Sequence, residues 1–519
     1  MSNKNDSHGR DELISRKSKA LVMGGTDKIE RVHSRGAMTA RERITLLLDP
    51  NSFDEIGMLA HSDWPGAEEK TAGDGKITGF GTIDGRDVSV MAGDVTIAAG
   101  STGAVGGLKG RKVYNYALEK GFPFVVLGES GGARIPDIMG SAGMMRMSGH
   151  SPARNRWIPM IATIMGECYG RPAWDVQDAD ISIQVKGATV AVTSPNVLGV
   201  ATGETMTAEQ IGGSDFHAEH TGLIDLVADN EEDCLLLIRQ LLSYLPSNAG
   251  ELPPSLPSTE PVDAKLDALL DIVPEDQKQV YDMHDVINLI ADVGSVIELR
   301  PKYDGSLITA LARIDGEVVG ILANNPIVTA GAMSHRACEK GTAFLTLCDS
   351  YHIPLVFLHD TPGFLASVEE EENKLALKII TFLNALEQTT VPKITMIVRK
   401  SYGMAHLNMG GASMGTDVIM AWPTAEVSFM APEAALAAVY GRKLDTLDTE
   451  QRLKAETEYL QELSAACAPW DAAGVAEIDK IIDPRDTRKE IITSLKRARG
   501  KDGIGAKSQR NLANWPTMF

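Results

Sequence analysis

The spacing of one half of this 519-residue chain recurs in the other half, and that recurrence leaves few architectures open. Gly100 and Pro123 stand 23 positions apart, as do Gly331 and Pro354. Pro123 to Gly128 is 5 positions, matching Pro354 to His359. Pro159 to Gly170 is 11, matching Pro392 to Gly403, and Asp180 to Pro195 is 15, matching Asp417 to Pro432. Four matched intervals in one order point to an internal duplication, two domains of one fold in tandem. SNAGELPPSLPSTEP (247–261), rich in proline and serine, divides the chain almost in half and reads as the linker. Within each half, short β-branched runs such as Phe124 to Leu127 alternate with helical stretches such as Lys109 to Leu118. The alternation predicts an α/β fold of βαβ units with right-handed crossovers. TARERITLLLDP (39–50) predicts a helix capped by Thr39, running through Leu48 and stopped at Pro50.

The apolar runs end in glycine turns: GESGGAR, GECYGRP, HDTPGF and RKSYGMA. Glycine permits positive φ and close approach of a ligand to the backbone. A strand-to-helix turn also presents backbone N–H groups that have no intrahelical acceptor. Two of them aimed at one oxygen make an oxyanion hole. One such turn alone is more often a plain βα connection; paired turns at matched spacing favour function. GESGG (128–132) formally fits the G-x-S-x-G nucleophile elbow, with Ser130 as nucleophile. Its duplicate, HDTPG, has no serine at the matching place, so a structural turn is the better reading. His359 and His406 are the histidines inside candidate turns, and neither a phosphate-binding G-x-x-x-x-G-K-[ST] nor an H-E-x-x-H is present.

A formal charge of −20 argues against nucleic acid or anionic membrane as the main partner, since both require basic surface. The five cysteines are scattered with no C-x-x-C pair, which excludes a zinc ribbon and disfavours a disulfide framework. No metal is expected. The start, MSNKNDSHGRDELISRKSKA, lacks an apolar signal core, and no apolar run reaches membrane-spanning length. A cytoplasmic location is expected, and the N-terminus does not support the mitochondrial matrix.

TARERI (39–44), SGGARI (130–135), TGETMTAEQIGG (202–213), DTPGF (360–364), VPKITMIVRKSYG (391–403) and AWPTAEVSFM (421–430) together carry a resemblance. The chain resembles the carboxyltransferase (β) subunits of acyl-CoA carboxylases, such as those acting on propionyl-CoA and methylcrotonyl-CoA, and related acyl-CoA decarboxylase subunits. The resemblance extends from about Asp27 to Asp483. It implies tandem crotonase-like (ClpP/crotonase) βαβ-superhelix domains: a polar tail at 1–26, an acyl-CoA-side domain at 27–255 and a biotin-side domain at 256–519. It implies transfer of a carboxyl group from N-carboxybiotin to the α or vinylogous γ carbon of an acyl-CoA, through an enolate held by backbone N–H groups. Biotin itself would remove the α proton, so no side-chain base is required.

By position, the resemblance assigns the first oxyanion turn to Gly170 and Arg171, and the second to Met404 and Ala405 after Gly403. It puts Gly131, Gly132, Ala133, Arg134, Gly100, Gly103, Lys109 and Tyr169 on the substrate side. Lys109 or Arg111 would meet CoA phosphates, the plainer reading of either being a surface helix charge. Pro362, Gly363, Phe364 and Tyr402 fall on the biotin side. The partners implied are a biotin carboxylase and a biotin carboxyl carrier, since the chain has neither a Met-Lys biotinylation pair nor an ATP-binding half. A homo-oligomer, dimer or hexamer, is implied as well, with each active site shared between the first domain of one subunit and the second of another.

Three departures from the family pattern stand out. The turn usually read as G-P-C-A-G-G-A is GECYGRP here, which introduces Arg171 and Pro172. Arg171 is expected to pair with Glu167, Asp175, Asp178 or Asp180 or to face water; a carboxylate on the acyl group is the sharper alternative. Residues 136–157 carry four methionines among 22 residues, an adaptable apolar surface suited to an acyl pocket or to core packing. Met404 stands where the family commonly has glycine. Two other functions compete: an acyl-CoA decarboxylase, with or without biotin, and a scaffold that has lost its chemistry.

Overall fold

The computed structural model describes residues 3–147, 154–258, 260–263, 265–500 and 509–516. The chain divides into two units, Met1–Glu251 and Leu252–Phe519, and each contains an eight-stranded sheet.

In the first unit the strands are β1 (Asp54–Glu55), β2 (Lys76–Ile83), β3 (Arg86–Gly93), β4 (Phe124–Ser130), β5 (Met160–Tyr169), β6 (Ile181–Val185), β7 (Thr189–Ala191) and β8 (Leu226–Ala228). Their order is β1-β2-β3-β4-β5-β6-β8, with β7 paired to β5. β1 to β3 are antiparallel, and every pairing from β3 onward is parallel. The β2–β3 hairpin turns on Asp84 and Gly85, both at positive φ (50° and 77°), the conformation a two-residue Asp-Gly hairpin loop requires. Helix Ala104–Lys120 makes the crossover from β3 to β4. It buries Gly106, Gly110, Val113 and Ala117, one stripe at helical spacing, and ends at Gly121 in the left-handed conformation. Thr39 caps helix Ala40–Leu47, and Glu42 completes a capping box. The charged segment expected as a tail forms helix Asn3–Leu21.

The second unit holds β9 (Ile297–Glu298), β10 (Leu307–Ile314), β11 (Glu317–Asn324), β12 (Leu355–Thr361), β13 (Lys393–Tyr402), β14 (Val418–Ala421), β15 (Glu426–Ser428) and β16 (Lys480–Ile481). The order β9-β10-β11-β12-β13-β14-β16, with β15 on β13, reproduces the first sheet strand for strand. Again the first three strands are antiparallel and the rest parallel. The hairpin also recurs, on Asp315 and Gly316. The duplication read from spacing is therefore a duplication of topology. Alternate residues of β10 and β11 (Ile308, Ala310, Ala312; Val319, Ile321, Ala323) share one core with Val356, Leu358, Ile394, Met396 and Trp422.

In both sheets one long strand is forked. β5 pairs through Ile161–Ile164 with β6 and then through Glu167–Tyr169 with β7. β13 does the same with β14 and β15. The register also shifts between Gly128 and Ser130 and between His359 and Thr361. The fork and the shift fall at the carboxyl ends of the parallel strands, where ligands of parallel α/β sheets bind.

Candidate functional site

Three turns converge at the carboxyl edge of the first sheet. After β3, Ala98, Ala99 and Gly100 all take positive φ (47°, 55° and 65°). Only Gly100 is required by space there: a Cβ would lie 2.6 Å from the Glu129 carbonyl. The turn after β4 is bound to this one by backbone alone. Gly131 N–H donates to Ala99 O (2.9 Å), Thr102 N–H to Gly132 O (2.8 Å), and Arg134 N–H to Thr102 O (3.0 Å). The second sheet repeats the arrangement, with Met333 N–H on Gly363 O (3.1 Å) and Leu365 N–H on Met333 O (2.9 Å).

Side chains expected to meet substrate are partly committed elsewhere. The Arg134 guanidinium is buried; it donates from Nε to Asp137 (2.9 Å) and also pairs with Asp74. A Cβ on Gly103 would strike this guanidinium at 1.9 Å, which accounts for glycine there. Arg134 thus clamps the turn. Lys109 needs the clearest correction. It is no surface charge but a buried ammonium donating to the carbonyls of Gly73 (2.9 Å) and Lys76 (2.6 Å). Burial lowers its pKa from 10.5 to about 8. Two of its three donors are thus held inside the fold.

Ser130 ends β4 with its hydroxyl buried and accepting the Gly132 N–H (3.3 Å). Among the described residues no histidine hydrogen-bonds to it. Ser130→Ala is therefore expected to keep turnover within about fivefold, the size of one modest hydrogen bond. A nucleophile would instead lose about 10⁶-fold, and a steady-state assay decides between the two.

After β5, Gly170 takes φ 73° and ψ −124°, open to glycine, and no atom lies within 4 Å of where its Cβ would be. Its N–H donates to Ala191 O of β7 (3.2 Å), which removes Gly170 from the donor pair expected of it. Arg171 follows at the first position of helix Arg171–Asp178, Pro172 has no N–H, and Ala173 N–H is bonded to Gly170 O (2.9 Å). The Arg171 N–H, without an intrahelical acceptor, is the donor this turn offers. Its side chain is half exposed and binds Asp175 (2.8 Å), one of the four acids expected. Burial raises the Asp175 pKa, and Arg171 opposes that rise. Tyr169 is buried just before the turn. Of the methionine-rich segment, Met139 and Met145 are exposed (72% each), so core packing does not explain them, and 148–153 lie outside the described residues.

In the second sheet, Gly403 (φ 59°), Met404 and Ala405 open helix Gly403–Asn408 directly after β13. Met404 is partly exposed and Ala405 buried. Tyr402 is buried, its hydroxyl donates to Glu426 of β15, and burial raises its pKa. Pro362, Gly363 and Phe364 form the neighbouring turn, where a Cβ on Gly363 would meet only open space. Beneath it lie buried Asp360, Arg399 and Lys400, paired at 2.8 and 3.1 Å.

His359, also buried, is held neutral: burial and then neighbouring His406 lower its pKa from 6.5 to about 3. Between pH 6.5 and 3 the unfolded chain binds a proton that the native chain refuses. The contribution is complete above pH 6.5 and shrinks as pH falls, by up to about 1.4 kcal/mol per pH unit. His359→Leu is expected to flatten that acid dependence, read from urea midpoints at pH 7.5 and 5.

Some of this was beyond sequence reasoning. The Asp74 and Asp137 clamp, and Ser401 between His359 and His406, carry no local pattern. Among the described residues no cluster of three metal-ligating side chains occurs and no helix is long and apolar enough to cross a membrane. All five cysteines are free and buried.

Comparison with known proteins gives these turns a context. Residues 31–512 match the carboxyl transferase domain family. The propionyl-CoA carboxylase carboxyltransferase subunit of Haloferax mediterranei is 37% identical over 498 residues, covering 95% of this chain and 96% of that protein. The methylmalonyl-CoA decarboxylase subunit alpha of Veillonella parvula is 35% identical over 490 residues, 93% of this chain and 94% of that one. Among solved structures, the transcarboxylase 12S hexamer with methylmalonyl-coenzyme A bound superposes with a TM-score of 0.87 at 35% identity, covering 94% of each chain.

Proposed function

Because the chain belongs to the carboxyl transferase domain family, we propose that it is the carboxyltransferase subunit of a biotin-dependent acyl-CoA carboxylase. Its substrate is an acyl-CoA thioester, and a separate biotin carboxylase and biotin carboxyl carrier serve it. It works as a homo-oligomer, a reading supported by the hexameric 12S relative.

The Arg171 N–H, at the start of an eight-residue helix, donates to the thioester oxygen and holds its charge as the enolate develops. The turns of Gly131–Gly132 and Gly100, fixed to one another by backbone, line the same edge. On the biotin side, Met404 and Ala405 offer N–H groups at the start of their helix, and the open space over Gly363 leaves room for a flat ring. Those donors fit a ureido oxygen. Carboxybiotin, when bound, supplies the carboxyl group. No side-chain base is assigned.

The observation that supports this reading best is the repetition of one backbone turn on two sheets, inside a family match that covers nearly the whole chain. The test is incubation with a panel of acyl-CoAs, carboxylated and not, with and without a biotinylated carrier. Transfer of labelled carboxyl that requires the carrier is the expected result. Release of CO2 without carrier overturns it and favours a decarboxylase, the reading supported by the Veillonella relative.

A further inference from the structure

The two histidines of the biotin-side turns are joined by a chain of hydrogen bonds that runs in one direction. His359 Nε2 lies 2.6 Å from the Met409 carbonyl, which can only accept, so Nε2 carries the proton. His359 Nδ1 is then bare and accepts from the Ser401 hydroxyl at 2.8 Å. Ser401 Oγ, having donated, accepts from His406 Nδ1–H at 2.9 Å. His406 Nε2 is bare in turn and accepts the Ala412 N–H at 3.2 Å. The chain starts at Ala412 and ends at Met409, so it closes on one loop.

The glycines of HLNMGG are shaped to this ring. A Cβ on Gly411 would lie 2.4 Å from the His406 imidazole. Gly410 takes φ 79°, and its carbonyl accepts from both Thr395 (2.7 Å) and Thr416 (2.8 Å). His359 and Ser401 are entirely buried at the ends of β12 and β13, and His406 lies in the helix that Met404 and Ala405 open.

We propose that His359, Ser401 and His406 form a positioning relay that fixes residues 403–412 in one proton arrangement and so sets the biotin-side turn. The relay rests on the carboxyltransferase reading only for its catalytic consequence. The ring nitrogens of both histidines and the Ser401 hydroxyl are engaged inside the fold, so the three act by positioning. The arrangement uses one neutral tautomer of each imidazole: a second proton on His406 would set Nε2–H against the Ala412 N–H, and one on His359 would displace the Ser401 O–H from its acceptor.

The test uses hydrogen exchange by mass spectrometry on the full chain. Ser401→Ala removes the middle link with little change in volume. Exchange across Met404 to Ala412 is expected to accelerate about tenfold, with the first-sheet helix Arg171–Asp178 unchanged. His406→Phe, which keeps a ring but loses both bonds, should do the same. The double variant His359→Leu/Ser401→Ala should exchange faster than Ser401→Ala, because it also loses the His359–Met409 bond, but by less than the product of the two single effects, since the two share one chain. In carboxyl transfer to free biotin, Ser401→Ala should lose about tenfold in kcat/KM for biotin while the acyl-CoA KM holds. Unchanged exchange across 404–412 in Ser401→Ala and His406→Phe overturns the relay. A wild-type chain that transfers nothing to biotin overturns the carboxyltransferase reading and leaves the exchange result standing.

Discussion

Arg171→Pro is expected to reduce kcat by about 10²–10³-fold, the range that follows loss of one oxyanion donor. The substitution is unusually selective. Proline is favoured at the first position of a helix, and the N–H it removes has no intrahelical acceptor. The neighbouring donors are already used or absent: Gly170 N–H is bonded to Ala191, Pro172 has none, and Ala173 N–H is bonded to Gly170. The side chain is lost as well, so Arg171→Ala is the control. Because the guanidinium is half exposed and bound to Asp175, Arg171→Ala should cost less than about tenfold, the worth of a partly exposed pair. Equal rates for the two variants would place the oxyanion donor elsewhere. A large loss in both would mean that the guanidinium itself meets the substrate.

The second large effect is on stability. Arg43→Met is expected to destabilise the first unit by about 3–5 kcal/mol, the cost of leaving buried charges without their partner. Arg43 is entirely buried, donating to Glu129 (2.7 Å) and twice to Glu231 (2.8 and 2.6 Å). Burial raises the pKa of Glu129, and Arg43 is the main group opposing that rise. Without Arg43 the Glu129 carboxylate is stranded in the fold, and Glu231 keeps the Met38 N–H (3.0 Å) but loses both of its guanidinium donors. A urea titration at pH 7.5 measures the loss. Adding Glu129→Gln and Glu231→Gln to Arg43→Met should recover part of it, because the stranded charge is then gone. Glu129 immediately precedes Ser130, Gly131 and Gly132, so the turn after β4 should loosen together with the ion pairs.

The same residue illustrates how far the sequence could be read. TARERI announced a capped helix, and the helix is there with Thr39 and Glu42 at its start. What Arg43 does on that helix was not visible, because its partners are 86 and 188 residues away. The architecture was legible because duplication repeats intervals, and intervals survive substitution. The glycine turns were legible because a backbone at positive φ limits side-chain choice. The uses of Lys109 and Arg134 were not, since a cation in a helix or a turn looks alike whether it meets a phosphate or a buried carbonyl. Gly170 belongs to the expected turn but serves it differently, since its φ shapes the turn while its N–H holds β7. His359 and His406 were visible as histidines in turns, whereas the serine between them was an ordinary strand residue until the register brought it alongside.

The forked strands have a mechanical meaning. β7 grips β5 through three register pairs, Glu167–Thr189, Cys168–Val190 and Tyr169–Ala191, and the Gly170–Ala191 bond is the last tooth of that zipper. The middle of the sheet is held separately, by β6. The β7 pairs are therefore separate from those of β6, while β4 holds the other edge of the tip through Ser130–Cys168. Losing β7 from this edge would include losing the Gly170–Ala191 bond, and that would leave a second N–H beside that of Arg171. Release of β7 and doubling of the donors at the turn would thus be one movement.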